Sequence, residues 1–188
     1  MNRYLMSILM LTVLTPLHAA DYVVDTEKAH AFIQFKIKHL GYSWLHGRFN
    51  KFDGEFSYDV KNPSASKITI NIDPSSIDSN HAERDKHLRG KDFLYVSKFK
   101  AAKFSSTAFV DKGDGEAELK GDFTLHGITK PITIMVSHVG QGKDPWGGYR
   151  AGFKGETSIA LKDFGIDYNL GPASTHVDLM LSIEGIRK

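Results

Sequence analysis

The chain has 188 residues, with 24 Lys and Arg against 22 Asp and Glu, and no cysteine. That length suits one domain able to bury a full core. The near balance of charge, without a basic run, speaks against a nucleic-acid partner. The absence of thiols removes disulfides, thiolate metal centres and cysteine nucleophiles.

The first twenty residues follow a different regime from the rest. Arg3 gives a positive start, residues 4–14 form a short apolar run, and Pro16, Ala19 and Ala20 supply a helix break and small residues. This is the pattern of a secretory signal peptide. The expected division is a signal at 1–19, cleaved after Ala19 or Ala20, and a single domain at 20–188. No second apolar run of roughly 18 residues follows, so no transmembrane segment is expected in the mature protein. With no cysteine after the leader, a lipid anchor is excluded as well.

From residue 22 the chain alternates with a period of two, the mark of half-buried strands. Ile33, Phe35 and Ile37 lie on one face of a first strand spanning about 22–38. Residues 45–59 form a second. Its apolar phase changes between Phe49 and Phe52, which predicts a β-bulge near Asn50 and Lys51. Ile68, Ile70 and Ile72 mark a third strand. Further strands are predicted at 101–110, 117–125, 132–136, 149–161 and 177–183, joined by turns at Asp111–Gly115 and His126–Pro131 and by two longer loops.

Between the third and fourth strands lies the only helical stretch, at about 79–90. Asp78 or Ser79 is the expected N-cap and Gly90 the expected stop. Leu88, Phe93 and Leu94 are expected to pack this segment across the rest of the fold.

Eight one-faced strands favour a closed sheet, because closure removes both exposed edges. The expected fold is all-β, an eight-stranded antiparallel barrel with one short helix; a sandwich is the alternative. The interior of such a barrel holds side chains or one small ligand. The predicted inward residues include Ile33, Phe35, Ile37, Phe56, Ile70, Phe104, Phe123 and Phe153, mixed with Gly47, Gly54, Gly121, Ala151 and Gly155. Two readings follow. Small and large residues fill the taper of a barrel, or the small ones leave room for a lipid-like molecule.

Other chemistry has weaker footing. Neither HExxH nor GxSxG occurs. His81 and Asp85 share a helix face but His87 points away, so a metal centre needs a distant third ligand. A metal-dependent enzyme or metal-binding stress protein using His81, Asp85 and His87 is the rival reading. An interaction protein acting through the Trp146 loop is a third. Arg84, within Glu83–Arg84–Asp85, reads as part of an ion-pair network at the barrel rim. Arg150, beside Trp146, reads either as a contact to a polar head group or as a rim salt bridge.

Four ordered stretches resemble the YceI-like family of exported polyisoprenoid-binding proteins. They are Asn80–Arg89 with Asp92-Phe-Leu and Phe104-Ser-Ser-Thr, then Gly121–Ile132, Asp144–Phe153 and Leu161–Ile166. The resemblance covers the chain from about Ala20 to Ile186. It implies a lipocalin-like barrel in the periplasm, with a polyisoprenoid, isoprenoid quinone or similar lipid in an apolar tunnel. It also implies transport, storage or stress response as roles, and a homodimer. Under this expectation the eight inward residues above bind the ligand, while Arg84, Trp146 and Arg150 stand at its head group or rim. No catalytic residue, metal ligand or cofactor other than the bound lipid is assigned.

Overall fold

A computed structural model describes residues 19–28 and 30–188. The predicted signal peptide therefore lies outside the described residues, apart from its last position. Eleven strand segments follow eight antiparallel paths. β1 (Ala20–Val24) and β2 (Phe32–His39) lie end to end along the last strand, β11 (His176–Arg187). β3 (Ser43–Phe49) and β4 (Phe52–Tyr58) form the second path, and β5 (Lys67–Ile72) and β6 (Ile77–Asp78) the third. β7 (Ala102–Gly113), β8 (Glu116–Leu125), β9 (Ile128–Lys143) and β10 (Tyr149–Ala160) are unbroken. Each path pairs with the next in sequence, and β1 pairs with β11 through Tyr22 and Arg187, which closes the ring. The fold is a closed eight-stranded up-and-down barrel, as the alternation predicts, and closure leaves no long edge to aggregate.

The expected phase change is present: β3 ends at Phe49 and β4 begins at Phe52, with the two-residue break at Asn50 and Lys51. The first path is interrupted where the sequence reads as one strand. After Val24 the chain leaves the wall and returns at Phe32. The predicted turn at 126–131 shrinks to His126 and Gly127, both at positive φ, the geometry of a two-residue hairpin. Pro131 lies within β9 opposite Asp122. It is tolerated because β10 pairs with β9 only from Met135 onward, so no partner strand needs the missing N–H.

The helix is shorter than expected. α1 spans Ala82–Leu88, and its N-cap is His81, whose Nδ1 accepts from the Arg84 N–H at 3.2 Å. Asp78 and Ser79 are recruited elsewhere: Asp78 accepts from Asn80 N–H, and Ser79 bonds Asp85. Arg89, not Gly90, is the C-cap. Phe93 and Leu94 are buried in the core and Leu88 packs against it, so this segment covers one end of the barrel. The connections at 40–42, 79–101, 126–127 and 161–175 all lie at that end, called the helix end below. Those at 59–66, 114–115 and 144–148 lie at the other, the turn end. No helix among the described residues is long and apolar enough to cross a membrane.

Candidate functional site

The barrel interior contains two adjoining apolar chambers. The larger, about 540 Å³, lies toward the helix end. Its walls come from β2, β3, β8 and β11, from Leu88, Phe93 and Leu94 of the covering segment, and from Tyr168, Asn169 and Leu170 of the last long loop. The smaller, about 110 Å³, lies farther along the axis and is lined by β4, β5 and the middle strands. Phe49, Ile72, Phe123 and Leu179 border both, so the two chambers adjoin across these side chains. Beyond the smaller one an aromatic cluster fills the turn end. Tyr22 stacks on Phe56 at 4.8 Å, and Phe153 packs against Phe56, Tyr58 and His138.

The predicted inward residues divide between the chambers. Ile33, Phe56, Ile70, Phe104 and Phe153 line the smaller, Phe35 and Ile37 the larger, and Phe123 both. Sequence reasoning missed Phe49, Ile72 and Leu179, though the alternation in their strands could have found them. It also missed Tyr168, Asn169 and Leu170, which sit in an irregular loop without a periodic signal.

The small inward residues do not leave room in the way one reading supposed. A Cβ on Gly47 would meet the Phe35 ring at 2.2 Å, one on Gly121 the Phe104 ring at 2.4 Å, and one on Gly54 the Ile70 side chain at 2.5 Å. Each of these glycines is covered by a large side chain from a neighbouring strand, as in aromatic rescue of strand glycines. The open space lies instead where the chain changes course, under the helix-end loops.

The polar groups separate sharply. Arg84 lines the larger chamber. Its Nε donates to Ser79 Oγ at 2.7 Å and its Nη2 to the Ser79 carbonyl at 2.5 Å. Ser79 in turn donates through N–H and Oγ to the buried Asp85 carboxylate. Arg84 is thus held at the chamber wall by a neutral residue, with no carboxylate in direct ion pairing among the described residues. His87 also lines this chamber, and its Nε2 lies 3.0 Å from Asp92.

Arg150 is in a different place from the one expected of a head-group contact. Its neighbours Ala151 and Phe153 face the barrel interior, so Arg150 projects from the outer wall. It donates to Asp25 at 2.6 Å, Glu184 at 2.6 Å and Asp144 at 2.7 Å. His30 joins Asp25 at 3.0 Å. Burial raises the Asp25 pKa, but hydrogen bonds from Arg150, His30 and the Lys28 N–H outweigh it and hold it at about 2. The same carboxylates keep the guanidinium firmly charged. Trp146 lies over Arg150 and Lys28 and is 72% exposed. Neither Trp146 nor Arg150 lines a chamber; Arg150 forms ion pairs with Asp25, Asp144 and Glu184.

His81, Asp85 and His87 are not brought together. His81 caps the helix, Asp85 binds Ser79, and His87 meets Asp92. Among the described residues, the grouping that comes closest to a metal-ligand set is Asp25, His30 and Glu184. Arg150 Nη1 already sits between those two carboxylates and supplies the cation.

A closed antiparallel barrel around two adjoining apolar chambers, covered at one end by a helix, defines the class of single-domain barrels with an apolar interior. A family model, the YceI-like domain, matches residues 22–185, and the chain belongs to that family. It is 55% identical to a UPF0312 protein of Shewanella sp. (strain W3-18-1), with both chains covered in full. It is 61% identical to a UPF0312 protein of Pseudomonas aeruginosa (strain LESB58), over 90% of this chain and 88% of that one. Among solved structures, the Burkholderia cenocepacia protein BcnA shares the fold at a TM-score of 0.77 and 19% identity, covering 86% of this chain and 98% of that one. A polyisoprenoid binding domain from Saccharophagus degradans does so at 0.67 and 14%, covering 90% and 99%.

Proposed function

We propose that this chain is an exported binding protein that carries a long apolar molecule, a polyisoprenoid, isoprenoid quinone or similar lipid, in its two chambers. The observation that carries the reading is the pair of adjoining apolar chambers inside the barrel, of about 540 and 110 Å³. The larger falls within the range of small-molecule sites. The naming of the Saccharophagus degradans domain for polyisoprenoid binding agrees with it. Burial of a prenyl chain contributes roughly 0.8 kcal/mol per methylene, less the cost of ordering it.

The polarity of the walls orients the ligand in this reading. The tail occupies the smaller chamber among Ile70, Phe104 and Ile134. The head lies in the larger one, near Arg84, His87 and Asn169. The leader pattern of residues 1–20 supports export to the periplasm. Nothing in the geometry favours the metal-dependent rival, since His81, Asp85 and His87 each serve a separate local bond.

Native mass spectrometry and lipid extraction of protein purified from the periplasm of its own host test this. A stoichiometric lipid-sized adduct is expected. A barrel that carries none and takes up no long-chain quinone would sink the proposal.

A further inference from the structure

The helix end differs from the turn end in charge. Its four connections carry seven Lys and Arg and five Asp and Glu, whereas the three at the turn end carry one Lys and three Asp. The loop from Leu40 to Tyr42 stands at the border of the larger chamber. Leu40 lines that chamber while remaining 55% exposed, and Tyr168, across from it, is likewise half-exposed. Residues that both line a cavity and meet solvent mark its opening.

Around that opening the loop and the first residues of β3 display aromatic side chains. Leu40 and Gly41 both have positive φ, a sharp turn that costs energy at Leu40. After it, Tyr42 is 87% exposed and Trp44 is 47% exposed. Neither lines a chamber, so neither is explained by ligand contact. Lys38 lies 5.6 Å from the Trp44 ring, and Lys36, which also pairs with Asp178 at 3.8 Å, lies 4.8 Å from it. Amphipathic rings beside lysines are what a protein uses at the boundary of a bilayer: the rings sit at head-group depth and the ammonium groups meet lipid phosphate.

We propose that the helix end docks on an anionic lipid bilayer, with Tyr42 and Trp44 entering the interface, and that ligand passes between bilayer and chamber through this opening. Docking stands on the exposed patch and its charge. The passage of ligand rests on the reading of the chambers as a lipid site. The arrangement fits a ligand too insoluble to cross water, because the opening and the docking patch coincide.

The test uses protein purified from cells that export it, with Trp146→Phe so that Trp44 is the sole tryptophan of the mature chain. The protein is mixed with vesicles of phosphatidylglycerol and phosphatidylethanolamine, or of phosphatidylcholine alone. It is expected to float with the anionic vesicles, with Trp44 emission moving to the blue, and to float less as salt rises. Tyr42→Ser with Trp44→Ser should weaken flotation at least tenfold. The same double variant should take up a long-chain quinone delivered from ethanol, without vesicles, as the parent does. Absence of flotation, or equal flotation of the double variant, overturns the proposal. So does a dimer in analytical ultracentrifugation that the double variant abolishes while vesicles are not bound, since a second copy would then cover the patch. Flotation without quinone uptake by either protein would leave docking supported and sink the lipid-carrier reading instead.

Discussion

Arg84 and Arg150 look alike in the sequence, each set among charged or aromatic neighbours, yet the fold places them in opposite circumstances. Arg150 lies on the outer wall against three carboxylates, and its side chain is only 13% exposed. It ties the excursion between β1 and β2 to the strand that closes the ring, and to the loop before β10. Arg84 faces the larger chamber, held by Ser79, with Asp85 one bond farther away. The first arginine has its charge fully matched within the protein, and the second does not. Pairing, more than position along the chain, distinguishes a structural cation from one available to a ligand.

The largest effect should come from Arg150→Met. It leaves the Asp25 carboxylate, 2% exposed, without its principal partner. Breaking a buried pair from one side costs roughly 3–5 kcal/mol. Urea unfolding should show that loss, while ligand occupancy of the folded fraction stays as in the parent. A loss below about 1 kcal/mol would mean that the network behaves as an ordinary surface ion pair.

Acid probes the same network with a smaller effect. The Asp25 pKa is held at about 2 in the fold, against about 3.9 in an unfolded chain. A depressed carboxyl stabilises fully above its unfolded value, and that contribution is lost as pH falls from about 4 toward 2. The loss from Asp25 alone should approach about 2 kcal/mol, and the lowered pKa of Asp144 acts with the same sign. Stability measured in urea at pH 5 and pH 2.5 reads it. Asp25→Asn should flatten the slope in that window; an unchanged slope would assign the acid sensitivity to other groups.

Much of the wall was legible because a one-sided sheet writes its period into the sequence. Ile33, Phe35 and Ile37, or Val177, Leu179 and Leu181, have few alternatives to a strand face, and the phase change at Asn50 and Lys51 marks the break between β3 and β4. The break after Val24 was not legible. It is held by Asp25 bonding Arg150, 125 positions away, and no local pattern encodes that contact. The helix cap was misread for a similar reason: Ser79 is suited to a cap, but it is already engaged by Asp85 and Arg84. In the candidate site, the sequence identified inward glycines and inward aromatics separately. Which ring covers which glycine follows from strand register, as with Phe35 opposite Gly47, so the location of the open space could not be read from composition.

Arg84→Gln sharpens the other side of the comparison. Glutamine keeps a donor toward Ser79 and removes the charge at the chamber. A hydrogen bond to a charged group contributes about 1.5–3 kcal/mol, so affinity for a long-chain quinone should fall about tenfold or more. Affinity for an all-hydrocarbon polyisoprene of similar length should change little, because it offers nothing for the guanidinium to bind. Fluorescence titration of both probes reads the contrast. Equal losses for the two would mean that Arg84 shapes the chamber without contacting a head group.

Trp146→Ser should have the smallest effect and tests whether the outer cluster has any role beyond stability. The ring lies 5.4 Å from the Arg150 guanidinium and 5.7 Å from Lys28 Nζ, and such exposed cation–π contacts contribute about 0.5–1 kcal/mol each. The carboxylates already hold Arg150 from the other side, so removing the ring leaves the guanidinium paired and the β1–β2 excursion in place. Thermal unfolding should therefore shift slightly, and quinone uptake and vesicle flotation should match the parent. A large loss of either would show that the Trp146 loop takes part in recognition. That result would remove the contrast between the two arginines, because the turn-end cluster would then serve the ligand as well as the wall.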